Sequence, residues 1–219
     1  MKFNGFRRNV VFGLFAAALG GAAIAQTPAT TLDLRSTVTG EPLSLADALP
    51  EGRDTPGVKL FLSTGHNPYN NDKSCLAKGG SLFLTACSGC HGHLGEGKIG
   101  PGLNDDYWTY PKNQHDQGLF ETIFGGAQAQ MGPHSGELTL DELLQIMAWV
   151  RYLYKDGASG AVWLTDAQKT TFKPYDHNEP PLPEDSPGMC NPKTAAAATE
   201  AATAAIKKQV AIDAGKPEE

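Results

Sequence analysis

The amino-acid sequence predicts an all-α domain with long irregular loops. Its clearest helical signal is the segment 139–154, where a Thr139-x-x-Glu142 capping pair precedes apolar residues at helical spacing. The sequence has no convincing series of alternating apolar and polar residues, which is the pattern of a half-buried strand. The stretch 88–118 is rich in Gly, Pro, Asn and Asp. It is about twice the usual upper length of a structureless loop, so we expect it to wrap around something.

The first 25 residues form a unit of their own. Lys2, Arg7 and Arg8 make a basic start, an apolar run follows at 10–19, and a small-x-small cleavage site lies at 23–25. This pattern is typical of a secretory signal peptide. The apolar run is about half of the ~20 residues that a membrane-spanning helix needs, although anchoring by an uncleaved signal is an alternative. No later segment is apolar enough to cross a bilayer.

The charge of the chain limits the partners that it can have. Removal of residues 1–25 changes the formal charge from −6 to −9, because this segment has three basic residues and no acidic ones. A nucleic-acid partner needs clustered positive charge, so the composition excludes one. It also argues against docking on anionic lipid and favours a basic protein partner.

The remaining elements follow in chain order. Residues 26–54 are expected to be loop-like, and Thr55-Pro56 is expected to begin a helix that Gly65 ends. A second helix is expected from Cys75 to Cys87, and residues 66–74 form the polar loop before it.

The C-terminal half has weaker signals. Asp116 to Phe124 is expected to form a short helix that Gly125-Gly126 ends, and another short helix is expected after Thr165. Residues 174–192 are Pro-rich and expected to be irregular. The Ala-rich run at 195–214 has little apolar surface to bury, so it predicts a frayed tail or a surface helix.

The segment Cys87-Ser88-Gly89-Cys90-His91 is a C-x-x-C-H sequence, the attachment motif of c-type haem. Two thiols at this spacing add to the two vinyl groups of the porphyrin, and the adjacent histidine becomes the proximal iron ligand. A redox-active cysteine pair needs a βαβ context, and a structural zinc site needs a second ligand pair; the sequence has neither. We therefore expect one covalent haem c, held by Cys87 and Cys90 with His91 on the iron.

The neighbours of this motif predict how the haem is packed. Gly79, Phe83 and Cys87 share one helix face, and Gly79 leaves room for a crossing helix that carries Trp149 or Tyr152.

A short turn follows the motif. Pro101 comes ten residues after His91, and a backbone carbonyl there is expected to accept the free ring N–H of that histidine.

The sixth iron ligand has several candidates. Met131 lies in a Gly/Pro loop 40 residues after His91, which makes it the expected thioether ligand. Met147 is on the apolar stripe of a helix and is expected in the core. Met189, or a site that is open or ligated by a second histidine, are alternatives. His134 follows Met131 by three residues and is expected near the haem edge, where it would modulate the haem.

Three longer segments resemble one family within the class I cytochromes c. They are CSGCHGHLGEGKIGPGLNDDYWTYPKN, GLFETIFGGAQAQMGP and LTLDELLQIMAWVRYLY, and the likeness runs from about Gly40 to Phe172. They are similar to cytochrome c-L, the periplasmic electron acceptor of methanol dehydrogenases that use pyrroloquinoline quinone. The Ala-rich tail shows no recognisable likeness.

The resemblance implies a fold and a function. The fold is that of a class I cytochrome c, in which helices and long loops wrap the haem, with N- and C-terminal extensions. The protein is then a periplasmic, monomeric electron carrier and not an enzyme. It accepts single electrons from methanol dehydrogenase and passes them to a second cytochrome c and a terminal oxidase. A shuttle for another quinoprotein alcohol dehydrogenase, or a haem enzyme or sensor with an open sixth site, are alternatives.

The resemblance also implies two structural features outside the haem. A disulfide tethers the C-terminal extension in the family, and Cys75 and Cys190 are the remaining cysteines; two free thiols are the alternative. A calcium ion lies beside a haem propionate in the family. Asn104, Asp105 and Asp106 are oxygen-bearing candidates near it, although such a run is more often a solvated loop.

The predicted organisation of the chain has five parts. They are a signal peptide at 1–25, an N-terminal extension at 26–74, a haem domain at 75–155, a C-terminal extension at 156–192 and a mobile tail at 193–219. Acidic residues flank the haem motif and the Met131 loop, and some are expected to ring the exposed haem edge and attract a basic partner. These acids are Glu96, Asp105, Asp106, Asp116, Glu121, Glu137, Asp141 and Glu142.

Overall fold

The computed structural model describes residues 32–70, 72–178 and Cys190. These residues contain six α-helices: α1 Pro56–Thr64, α2 Lys73–Ala86, α3 Ser88–His91, α4 Asp116–Gly125, α5 Leu140–Tyr152 and α6 Asp166–Lys169. Short 3-10 helices lie at Leu45–Asp47 and Pro111–Gln114. Within the described ranges, extended pairing is limited to one isolated bridge between Arg35 and Pro42. The predicted all-α fold class is therefore confirmed.

Several predictions concern residues outside this part of the chain. The signal peptide at 1–25, Met189 and the Ala-rich run at 195–214 lie outside the described residues. Among the residues that are described, every helix is too short or too polar to span a bilayer.

Local capping explains where the main helices begin. The Thr55 side chain accepts a hydrogen bond from the backbone N–H of Val58 ahead of Pro56, and Gly65 closes α1 at φ 75°. In α5 the predicted capping box is present, with Thr139 and Glu142 each bonding the other's backbone N–H. These signals are read correctly from sequence because all of their parts lie within one turn.

Helix α5 ends at Tyr152, two residues before the predicted Tyr154, and three larger differences lie between residues 72 and 114. Helix α2 begins at Lys73 rather than Cys75, because the Asp72 side chain caps the N–H of Ser74. Residues 88–91, predicted to be irregular, form the four-residue helix α3. The 3-10 helix at Pro111–Gln114 also lies in the stretch predicted to be loop; it begins at a proline, whose φ suits a first helical position.

Helices α2 and α5 cross at Gly79. A Cβ atom at Gly79 would overlap the backbone carbonyl of Gln145, and at Gly80 it would lie 3.0 Å from the Trp149 ring. The predicted close crossing is therefore present, with Trp149 on the partner helix. It brings Phe83 of α2 and the apolar face of α5 into one core.

A buried ion pair joins α4 to α5. The Arg151 Nε donates to Asp116 at 3.2 Å, and both side chains are at most 2% exposed. The other Asp116 oxygen accepts from the Asn67 backbone and from the Asn70 side chain, both at 2.9 Å. The loop after α1 is thereby tied to the same pair. Loss of either charge would leave its partner buried and unpaired, which costs about 3–5 kcal/mol.

The segment after α5 packs on a second small cluster. Tyr154, Ala161, Trp163 and Leu164 are buried there, with Phe172 against them. The backbone N–H of Tyr175 donates to the Tyr154 carbonyl at 2.8 Å.

A disulfide joins Cys75 to Cys190 across 115 residues. The bridge implied by the resemblance is thus present, and it attaches the C-terminal extension to the first turn of α2.

Candidate haem site

A cavity of about 520 Å³ lies between α2, α3, α4, α5 and the loops that follow α3 and α4. Most of its wall is apolar. The lining includes Phe83, Cys87, Cys90, His91, Ile99, Pro101, Leu103, Trp108, Tyr110, Leu119, Ile123, Met131, His134, Ile146 and Val150. Residues from across the chain thus meet around one apolar space with few polar groups, which is the usual character of a cofactor pocket.

His91 is held in one orientation by the loop after α3. Its Nδ1 lies 2.9 Å from the Pro101 carbonyl oxygen, so the ring N–H donates there. The opposite ring nitrogen, Nε2, is then the unprotonated one, and its lone pair is available to a metal. A Cβ on Gly100 would lie 2.7 Å from Cε1 of the ring, so the loop passes against the imidazole with no space for a side chain.

Cys87 and Cys90 both line the cavity as free thiols. Burial, and secondarily the neighbouring Cys90, raise the pKa of the Cys87 thiol to about 11. Redox-active cysteine pairs have a thiol whose pKa is lowered instead. The environment of the pair therefore argues against thiol–disulfide chemistry, as the sequence context does.

Met131 lines the cavity from the loop after α4. The loop turns back because the Ala127 N–H donates to the Met131 carbonyl at 2.9 Å. Gly126 permits this turn: its φ is 79°, and a Cβ there would lie 2.9 Å from backbone atoms of Met131 and Gly132. Met147, by contrast, is fully buried in the helical core and is not part of the lining.

His134 also reaches the cavity. Its backbone N–H donates to the Ile123 carbonyl at 3.2 Å, and its Nδ1 lies 3.2 Å from the Glu137 carboxylate. Among the described residues, His91 and His134 are the only histidines in the lining. The structure thus places His134 in the wall of the cavity, and its position at a haem edge stays a prediction.

Two aromatic residues of the wall had no role assigned from the sequence. Trp108 lines the cavity and is 8% exposed. The Tyr110 hydroxyl accepts the Gln128 backbone N–H at 3.1 Å, which joins the Trp108–Tyr110 segment to the Met131 loop. The sequence offered one signal for them, an aromatic pair in a long polar loop. Their location could not be predicted, because the residues that Trp108 and Tyr110 contact lie 18 or more positions away along the chain.

The candidate calcium ligands already have other partners. The Lys155 ammonium lies 3.1 Å from Oδ1 of Asn104 and 3.4 Å from Oδ2 of Asp105. The Asp106 carboxylate accepts the Tyr154 hydroxyl. No group of three or more His, Cys, Asp or Glu side chains in the described part of the chain is arranged to hold a metal ion. The calcium ion therefore stays a prediction.

The structure also narrows the set of acids that can face a partner. Asp116 and Glu121 are buried, paired with Arg151 and with Lys112. These two acids are therefore not among those that could ring the haem edge. The reason is that each charge is used inside the fold, which sequence position does not reveal. The expectation that some of the acids ring that edge stays a prediction for the others.

The residues around the cavity fit a covalently attached haem. Two cysteines, a histidine with its far nitrogen available and a methionine line one apolar space, and the loop at Gly100 has no room for a side chain. Residues 75–150 match a family described as cytochrome C oxidase, cbb3-type, subunit III. Fold and site together define a class I cytochrome c, an electron-transfer protein with covalently bound haem c.

More similar relatives narrow the class. The chain is 55% identical over 185 residues to cytochrome c-L of Methylorubrum extorquens, which covers 83% of this chain and 93% of that protein. The crystal structure of cytochrome cL from Hyphomicrobium denitrificans is 57% identical with a TM-score of 0.63, over 67% of this chain and 88% of that one. That of Methylophaga aminisulfidivorans is 55% identical with a TM-score of 0.64, over 68% and 98%. The chain belongs to the cytochrome c-L family.

Proposed function

We propose that this protein carries one haem c, attached through Cys87 and Cys90, with His91 and Met131 as the two axial iron ligands. The observation that carries the proposal is that one apolar cavity brings these four side chains together from α2–α3 and from the loop after α4. Pro101 orients His91 by its carbonyl. His134 stands beside the site, where its exchangeable ring proton suits a modulating role.

When bound, such a haem supplies a single-electron redox centre. The chain supports that chemistry in three ways. The Pro101 carbonyl fixes the His91 ring and makes it a stronger donor. A Met131 thioether on the iron would exclude a small ligand and would raise the reduction potential relative to two nitrogen ligands. The apolar wall limits the access of water.

The partner that we propose is a methanol dehydrogenase that uses pyrroloquinoline quinone. Membership of the cytochrome c-L family supports it. In this proposal the protein works in the periplasm as a monomer and passes electrons to a second cytochrome c. The functional unit is the haem domain at 75–155, with extensions at 26–74 and 156–192.

The docking face is proposed to be the open side of the haem cavity. Ile99 lines the cavity and is 75% exposed, which gives that side an apolar centre. Glu137 is exposed and bonded to the lining residue His134, and Glu96 is exposed on the loop after α3. An acidic rim of this kind attracts a basic surface and raises the association rate by roughly 10- to 10³-fold at low salt.

Stopped-flow reduction of the oxidised protein tests the choice of partner. Purified methanol dehydrogenases of the calcium and lanthanide types are each compared with another quinoprotein alcohol dehydrogenase. Concentration-dependent reduction by a methanol dehydrogenase supports the proposal. Faster reduction by the other alcohol dehydrogenase would mean that this protein is the electron shuttle of that enzyme. Carbon monoxide binding to the reduced protein would indicate an open sixth site.

The acidic rim is tested with the same assay. A Glu96→Gln, Glu137→Gln double variant is expected to lower the second-order rate at low salt with an unchanged visible spectrum. The matched control is the Glu51→Gln, Asp54→Asn double variant, which also removes two exposed acids but on the segment before α1, away from the loops that line the cavity. The difference between the variants should shrink at 0.15 M salt, where the Debye length is ~8 Å. Equal effects of the rim variant and the control variant would reject steering by this face.

A further inference from the structure

Trp163 belongs to the C-terminal extension and is not part of the cavity lining. A single residue, Arg151, nevertheless connects it to a side chain of the cavity wall. The Arg151 guanidinium carbon lies 4.2 Å from the centroid of the Trp163 ring and 5.3 Å from that of Trp108. Both distances are within the range of a cation–π contact. Trp108 in turn lines the cavity. A continuous set of contacts therefore runs from the extension to the pocket.

Arg151 can link the positions of Trp163 and Trp108 because its own side chain is fixed by several hydrogen bonds. It is fully buried and bonded to Asp116, and its Nη2 donates to the carbonyls of Asn113 and Gln114 at 2.9 and 3.1 Å. Its Nη1 is buried without a hydrogen-bond partner among the described residues. The ring faces of Trp108 and Trp163 are thus the contacts that complete the surroundings of this charge.

Trp163 is itself anchored by its own segment. The Trp163 and Tyr154 rings are perpendicular, with centroids 4.9 Å apart, and the Phe172 ring centroid lies 5.9 Å from that of Tyr154. The Tyr154 hydroxyl donates to the Asp106 carboxylate and also lies 3.2 Å from the Gly157 carbonyl. The segment 157–172 therefore folds around Tyr154 and presents Trp163 to Arg151.

We propose that Trp163 is a positioning residue for the haem pocket. Trp163 acts through Arg151 to hold Trp108 in the cavity wall. The inference rests on the proposed haem site. It assigns to the C-terminal extension a role in setting the haem environment, in addition to its contribution to stability. Removal of the Trp163 ring would expose the Arg151 guanidinium to water on that side and loosen the face of Trp108 that meets it.

A merely structural role makes a different prediction. If Trp163 only packs the extension, its loss lowers stability without a specific effect on the haem, and the loss of Phe172 does the same. Phe172 is the matched control, because it packs in the same cluster on Tyr154 but forms none of the cation–π contacts of Arg151.

The experiment compares Trp163→Leu, Trp163→Phe, Phe172→Leu and Trp108→Phe in the holoprotein. The readouts are the Soret circular dichroism and the midpoint potential, with unfolding by urea measured in parallel. Trp163→Leu should shift both haem readouts in the direction of Trp108→Phe, and Trp163→Phe should shift them less. Phe172→Leu should lower stability and leave both haem readouts at the wild-type values.

A double-mutant cycle isolates the coupling. If Trp163 acts through Trp108, the double variant of Trp108→Phe with Trp163→Leu should shift the haem readouts by less than the sum of the single shifts. Additive shifts, or wild-type haem readouts in Trp163→Leu, would overturn the inference. If Trp163→Leu does not fold, the same criteria apply to Trp163→Phe. Absence of a covalent haem peptide in the wild type would overturn the proposed function as well, whereas haem without coupling would overturn the inference alone.

Discussion

At the scale of single residues, the orientation of the His91 ring depends on the backbone of the loop that follows α3. The Pro101 carbonyl accepts a hydrogen bond from Nδ1 of His91, and the Gly100 backbone lies against Cε1 of the same ring. Gly100→Ala is expected to displace the ring and to cost about 1–3 kcal/mol of stability, as overpacking does. Urea unfolding followed in the Soret band measures this cost.

Gly102→Ala is the matched control for that substitution. A Cβ at Gly102 has its nearest neighbours at 3.5–3.7 Å, which is ordinary contact. It should change the free energy of unfolding by less than about 0.5 kcal/mol. Equal losses in the two variants would mean that the loop is sensitive to any added methyl group and that the contact with His91 has no special weight.

The second prediction at this scale concerns Met131. It lines the cavity while Met147 is buried in the helical core, so Met131→Ala should remove the near-infrared charge-transfer band of sulfur-ligated ferric haem and lower the reduction potential. The control is Met147→Leu, a swap of similar volume that should keep the band and cost less than about 1.5 kcal/mol. Persistence of the band in Met131→Ala would assign the sixth position to another residue, with Met189 the next to test.

The site was visible in the sequence to different degrees. The cysteines and His91 lie within five residues, so their motif could be recognised directly. The composition of its loop singled out Met131, which lines the cavity, while its role as an iron ligand stays a prediction. The location of Trp108 in the cavity wall could not be predicted, because it depends on a contact with Arg151, 43 residues further along the chain. Residues that lie within one motif could be predicted from the sequence. The walls of the pocket could not, because they are formed by contacts between distant segments.

At the scale of the elements, the crossing of α2 and α5 determines how closely the haem motif approaches the core. Gly79→Ala would place a methyl group against the Gln145 carbonyl, and backbone cannot move aside as a side chain does. We expect a net loss of about 1–3 kcal/mol in chemical unfolding, although alanine favours a helix by itself. Gly136→Ala is the control, because a Cβ there meets nothing within 4 Å. A loss as large at Gly136 would contradict this account of the crossing.

Helix boundaries were predictable where both partners of a cap lie within one turn, as at Thr55, Thr139 and Thr165. The sequence predicts the start of α2 two residues late, because Asp72 suits a polar loop as well as a helix cap. Helix α3 was missed because Ser-Gly-Cys has little helix propensity, and its four residues follow directly on the end of α2.

At the scale of the whole molecule, the disulfide between Cys75 and Cys190 is the long-range link of the C-terminal extension. A closed loop of 115 residues stabilises a chain by about 4–5 kcal/mol from chain entropy alone, although the attached haem already restrains the unfolded state. The Cys75→Ser, Cys190→Ser double variant is therefore expected to lose stability, by at most this amount. Calorimetry measures the loss, and non-reducing mass spectrometry should find the linked peptides in the wild type. Two free thiols in freshly isolated protein would contradict the bridge.

The central claim is that one chain with one haem accepts electrons singly from a methanol dehydrogenase. The most direct test is anaerobic stopped-flow mixing of the oxidised protein with dehydrogenase whose quinone carries two electrons per active site. We expect two equivalents of this protein to be reduced per active site, with a rate proportional to protein concentration and falling as salt is added. No reduction without a third protein, or a rate independent of the concentration of this protein and of salt, would contradict the claim.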